Sequence, residues 1–175
     1  MQKTLFQSAL GEGFKSLPAA VQGFHTQLDR PWRGQVWIKR EPTAFAGLAS
    51  ILLGLPKSAE DVPISVHVAP NDQRETWTRN FNGQILYSIL RPASRRGHII
   101  ERFGIFQVEI ALIHNDAKLY FVPQRWWGLG LPMPKALLPK GESFEFEQDG
   151  QFNFDIRFEL PIFGLIVSYK GWLAP

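Results

Sequence analysis

The sequence contains no cysteine, which excludes disulfides, thiolate metal sites and a cysteine nucleophile. It has no apolar run long enough to cross a bilayer, since the longest helix-like stretch, Phe45 to Leu55, falls short. The first residues, Met1 to Ser8, lack the continuous apolar core of a signal peptide, so the cytoplasm is the default expectation. None of the four histidines, His25, His67, His98 and His114, stands two or four positions from another, so no metal-ligand spacing is present. There is no Gly-x-Ser-x-Gly elbow. Gly128-Leu-Gly130-Leu-Pro132 lacks the later glycine and the Lys-Ser/Thr pair of a phosphate loop. A net charge of +3 is too small to argue nucleic-acid binding, and the strands lack the exposed stacking motif of RNA-binding sheets. The basic loop Arg91 to Arg96 reads as a solvated loop. No cofactor and no metal are expected.

What the chain does have is aromatic mass. It holds 14 Phe and 6 Trp in 175 residues, a length suited to one domain with one sizeable core. The clearest pattern is Phe152-Asn-Phe-Asp-Ile-Arg-Phe-Glu-Leu160, where apolar and polar residues alternate without a break, as in a strand with one buried and one wet face.

Residues 1–56 read as mainly helical with one strand. Thr4 to Leu10 is helical until Gly11 and Gly13. Ser16 is placed to cap a helix running to about Leu28, with Val21 and Phe24 on its apolar stripe. Gly34 to Lys39 is a strand, and Ala44 to Leu53 is a third helix, apolar nearly all round and expected to pack on the sheet.

Residues 57–175 read as an antiparallel meander. Turns are expected at Pro70 to Asp72, at Asn82-Gly83, at Asn115-Asp116 and at Asp149-Gly150. Gly104 is read as a bulge, and Pro123 as an edge or bulge position. Gly128 to Gly141, with three prolines and three glycines, reads as an apolar lid-like loop with a helical turn near Lys135. The total is roughly nine or ten strands. The fold class is α+β: a mostly antiparallel, strongly curved sheet forming a barrel or half-barrel, with N-terminal helices. Such a barrel has either a ligand cavity or a solid phenylalanine core.

Alternation places Arg79 on one face with Trp77 and Phe81, and Arg125 with Phe121 and Trp127. An arginine among aromatics can stack on a ring and hold an anion. The competing reading has each arginine reach the rim or pair with Glu75 or Glu101. Glu101, facing a greasy interior, is a candidate ligand contact or general acid–base group. Gln107 and Glu109 share a face that reads as wet.

Trp77-Thr-Arg-Asn-Phe81, Glu101-Arg-Phe-Gly104, the Arg125-Trp126 segment leading to Gly130-Leu-Pro-Met-Pro134, Gly150-Gln-Phe-Asn-Phe-Asp155 and Leu165-Ile-Val-Ser-Tyr-Lys-Gly-Trp172 together resemble a bacterial domain family known only as a domain of unknown function. The resemblance runs from Leu5 to Pro175. Members of that family stand alone or follow a Rossmann-type module similar to saccharopine dehydrogenase or sugar epimerases. This implies a role beside oxidoreductase chemistry, with no catalytic residues to transfer.

The reading is therefore non-catalytic binding of a hydrophobic or amphipathic anionic small molecule, with Trp77, Phe81, Phe121 and Trp127 as walls and Arg79, Arg125 or Glu101 as polar contacts. One alternative is docking on a dehydrogenase-like partner through Trp126-Trp127. Another is an isomerase or hydrolase using Glu101.

Overall fold

The alternating strand becomes an inner wall. In β10 (Gln151–Leu160), Phe152, Phe154, Ile156 and Phe158 face inward while Asn153, Asp155 and Arg157 face out. The computed structural model describes residues 3–41 and 55–175. The helix expected over Ala44 to Leu53 lies outside these residues.

The other strands are β1 (Pro31–Lys39), β2 (Ala59–Asn71), β3 (Arg74–Phe81), β4 (Gln84–Pro92), β5 (His98–Phe103), β6 (Phe106–Asn115), β7 (Lys118–Gly128), β8 (Leu131–Pro132), β9 (Phe144–Gln148) and β11 (Gly164–Ala174). Neighbours run β6-β5-β4-β3-β2-β1-β11-β10-β9-β7, and β6 pairs back onto β7. Among the described residues ten antiparallel strands thus close a ring, and β8 adds an eleventh beside β7. Closure removes the exposed edges that an open sheet would leave.

Most links are two-residue turns whose residues accept a left-handed backbone. Asn82 and Gly83 sit at φ 48° and 95°, the mirror-image turn that matches strand twist. Asp149-Gly150 repeats it at 53° and 73°. The break at Gly104 is not a bulge: Phe103 pairs with Phe106, so Gly104-Ile105 is a hairpin turn. The turns read at Pro70 to Asp72 and at Asn115-Asp116 fall one or two residues later, with Asp72 and Asp116 at positive φ.

Pro123 does lie at a bulge. Glu109 pairs with Arg125 and Ile110 with Pro123, which leaves Gln124 as an extra residue in β7. A proline without an N–H is tolerated where the ladder is already interrupted.

Two short helices plug one end of the ring. α1 (Leu5–Leu10) is closed at its start by a reciprocal pair: the Gln7 N–H donates to Thr4 Oγ1, and the Thr4 N–H donates to Gln7 Oε1. Its chain continues past Leu10 as a 3₁₀ turn, Gly11–Ser16. Ser16 therefore does not cap the next helix. Pro18 stands at that position, extended at ψ 150°, and α2 spans Ala19–Thr26, ending short of Leu28. Phe24 of α2 stacks on Phe152 at 4.1 Å between centroids and meets Trp77 edge-on at 5.4 Å. Phe6 of α1 lies flat on His25 at 3.7 Å. Burying each such ring contributes about 2–3 kcal/mol, more than a helix of this length gains from its backbone alone.

Candidate functional site

β3 carries Glu75, Trp77, Arg79 and Phe81 on its inner face, and β4 answers with Leu86, Ser88 and Leu90. Glu101 reaches the same interior from β5, opposite Leu90. These strands bring three polar side chains together inside an apolar barrel. Arg79 Nη1 donates to Ser88 Oγ at 2.7 Å and Nη2 to Glu101 Oε1 at 3.1 Å, while Ser88 Oγ donates to the same carboxylate oxygen at 2.7 Å. The guanidinium carbon lies 4.8 Å from the Trp77 ring centroid. Arg79 and Glu101 side chains are each only 11% exposed, so this is a desolvated pair.

A cavity of about 150 Å³ adjoins this cluster. Its apolar lining comes from Val66, Leu90, Val108, Ile110, Phe121, Phe154, Ile156 and Phe158, among others. Tyr169 of β11 also lines it. Burial pushes its hydroxyl pKa up, with Arg79 pulling it down and the Glu101 and Glu145 carboxylates adding to the rise.

A second polar group lies toward the helical plug. His25 Nε2 is 2.6 Å from Glu145 Oε2, and both side chains are buried. Glu75 accepts the Leu5 backbone N–H at 3.2 Å and the Trp77 indole N–H at 3.0 Å. Desolvation raises the pKa of Glu75; its two N–H donors and nearby His25 oppose this without cancelling it. Glu145 is also a cavity-lining residue.

The wall opposite β3 is incomplete as a sheet. β9 pairs with β7 only over Lys118 to Tyr120. Beyond that point the segment from Pro139 to Ser143 fills the gap and lines the cavity. Lys140 exchanges two backbone hydrogen bonds of 2.8 Å with Glu159, and Phe121 N–H donates to Ser143 O at 2.9 Å. The 3₁₀ turn Lys135–Leu137 immediately precedes this segment. Among the described residues no group of His, Asp and Glu is placed to hold a metal, and no helix is long and apolar enough to cross a membrane.

The residues singled out from sequence divide in two. Trp77, Arg79, Glu101 and Phe121 line the cavity. Phe81 is buried against Tyr169, 5.3 Å between centroids, without lining it. Arg125 and Trp127 do not share a face with Phe121. The extra residue Gln124 reverses the alternation, so Trp126 turns inward and Arg125 outward. Arg125, 53% exposed, covers Glu109 with a 2.7 Å bond from Nε. The outer face at Glu109 is accordingly dry, contrary to the wet face read from Gln107 and Glu109.

The sequence pattern alone does not bring Ser88, Glu145, Tyr169 or His25 into the barrel interior. Ser88 had a signal, a small polar residue on the face of Leu86 and Leu90. Glu145 was hidden because its neighbours Phe144 and Phe146 look like the buried pair. They lie on the outer face instead, under the ammonium of Lys118, which stands 4.2 Å from the Phe144 centroid.

Fold and site together define a closed antiparallel β-barrel, plugged at one end by helices, with a small interior cavity bearing one arginine–carboxylate cluster. The chain belongs to the family described as Domain of unknown function (DUF4166), which matches residues 17–173. No curated protein matches it. Solved structures that resemble it include a protein of unknown function from the DUF3598 family of Nostoc punctiforme, 13% identical with a TM-score of 0.49. That match covers 82% of this chain and 45% of the other, so this chain spans less than half of that protein. Rv2717c from M. tuberculosis is 12% identical with a TM-score of 0.47, covering 90% of this chain and 97% of that one.

Proposed function

We propose that the protein binds, without chemistry, a compact and largely apolar molecule inside the barrel, with one polar end at Arg79. The observation that carries this is the Arg79–Ser88–Glu101 cluster set against an apolar cavity of about 150 Å³. An engineered cavity of roughly that volume admits benzene, so the size favours a ring-sized ligand over a long acyl chain. Two of the five guanidinium N–H donors are used by Ser88 and Glu101, which leaves donors for a ligand oxygen. Because Glu101 already neutralises Arg79, a carbonyl or hydroxyl oxygen suits the position better than a full anionic head.

The Gly128 to Gly141 segment serves in this reading as the lid. Release of the two Lys140–Glu159 backbone bonds would open the wall between β7 and β10. Docking on an oxidoreductase through Trp126-Trp127 has less support, because the Trp126 indole is buried and donates to Pro134 O at 3.1 Å. A catalytic role for Glu101 has less support as well, because its Oε1 already accepts two hydrogen bonds within the cluster.

Native mass spectrometry of protein purified from a bacterial host, followed by organic extraction, tests the proposal. The expected result is a small organic adduct that disappears in Val108→Trp, which fills the cavity. A protein that carries nothing and also takes up no ring-sized ketone or phenol on addition contradicts it.

A further inference from the structure

The two ends of the barrel differ in what their turns present. At the end plugged by helices, three of the four turns carry Asp72, Asp116 and Asp149 at their tips. At the opposite end, Leu129, Leu131 and Ile162 are 76%, 68% and 88% exposed, the three most exposed large apolar side chains among the described residues. Ile105 stands beside them, its carbonyl accepting the Leu129 N–H at 3.0 Å.

Leu129 and Ile162 are also held at φ 52° and 76°. Every other non-glycine residue at positive φ among the described residues is Asp, Asn or Ala. Aspartate and asparagine tolerate this backbone, whereas a leucine costs about 1–2 kcal/mol there and a β-branched isoleucine more. Two turns therefore keep a large apolar side chain in water at positions where folding favours glycine or asparagine. Side chains this exposed gain little from packing against the described residues, so an external contact accounts for both.

We propose that this end of the barrel docks on an anionic lipid surface, with Leu129, Leu131, Ile162 and Ile105 seated at the headgroup boundary. Charge selects a membrane over a protein partner. Around the Leu129 and Leu131 tips the chain carries Lys135 and Lys140. Of the carboxylates at this end, Glu159 is held by Arg157, and Glu142, Glu60 and Asp61 stand on the strand ends and the Pro139 to Ser143 wall and not on the apolar turns. Arg102 adjoins the Ile105 turn, where its Nε donates to Gly104 O at 2.9 Å. Arg102, Lys135 and Lys140 make no ion pair among the described residues. Each such cation near an anionic leaflet contributes roughly a fivefold gain in partition. The four apolar side chains sit on three separate hairpins, Leu129 and Leu131 sharing one, which suits shallow insertion between headgroups better than a flat protein interface. The inference stands apart from the interior ligand, although docking would bring the Pro139 to Ser143 wall close to the bilayer.

Co-sedimentation with phosphatidylcholine vesicles, with and without phosphatidylglycerol, tests it. The protein should pellet with the anionic vesicles and be released by salt. Leu129→Asn/Ile162→Asn should lower partition by about tenfold or more, while the thermal midpoint holds or rises because asparagine relieves the backbone. A control, Ile85→Ser/Tyr87→Ser on the outer wall of β4, should bind as the parent does. Wild-type protein that stays in the supernatant with both vesicles overturns the proposal, as does equal loss in the control. Light scattering that shows a dimer split by the asparagine pair would assign the surface to self-association instead and likewise overturn it.

Discussion

Arg79 and Glu101 meet inside the barrel at 3.1 Å, brought together from β3 and β5 by the strand between them, whose Ser88 bonds to both. Neither side chain is more than 11% exposed. Removing one partner strands the other charge away from water. Arg79→Met or Glu101→Met is expected to cost about 3–5 kcal/mol, and the double methionine variant less than either single change. Urea unfolding of the four proteins as a double-mutant cycle measures this; additive losses would show that the two groups do not act as a pair.

Glu75 sets a pH dependence of known sign. Its pKa is raised on folding above the ordinary 4.5, mainly by desolvation. The native state therefore holds the Glu75 proton more tightly than the unfolded chain does. Stability from this group is fully present below pH 4.5 and is lost as pH rises through the folded value. Other groups around it, His25 and Glu145, remain in both proteins when Glu75 is changed to Gln. The stability of wild type relative to Glu75→Gln should fall as pH rises from 4.5, followed by unfolding at matched pH. Wild type that gains stability relative to Glu75→Gln as pH rises contradicts the assignment.

The wall at Pro139 to Ser143 depends on Gly141, which sits at φ 120° with the Arg157 carbonyl so close that a Cβ would collide with it. Gly141→Ala should destabilise the protein by about 2–4 kcal/mol. Hydrogen exchange should locate the damage in the Lys140 and Glu159 amides before β3 or β4. Uniform loss of protection would mean that the segment is part of the core and not a separate lid.

Much of the fold was legible because the strands obey simple alternation. Trp77, Arg79 and Phe81 were assigned one face correctly, and Asn82-Gly83 marked its hairpin. The failures occur where one residue is inserted. Gln124 in β7 reverses the faces of Arg125, Trp126 and Trp127, and the choice between an edge and a bulge at Pro123 could not be made before pairing was known. Ile166 has the same effect in β11, between the pairs Phe158–Val167 and Glu159–Leu165, so Leu165, Ile166 and Val167 are all buried. In β9 the aromatic residues lie outside and Glu145 inside, an inversion set by the buried His25 of α2 and not by hydrophobicity. Closure of the ring rests on β1 meeting β11, a pairing between the two ends of the chain that local pattern does not encode.

The most direct measurement is a nitrogen-15 correlation NMR titration with acetophenone, a ring-sized molecule with one acceptor oxygen. Binding in the barrel predicts saturable shifts centred on Trp77, Arg79, Ser88, Val108 and Tyr169, abolished in Val108→Trp and weakened in Arg79→Met. Shifts confined to the outer wall or the turn tips, or none up to the solubility limit, would contradict an interior binding site.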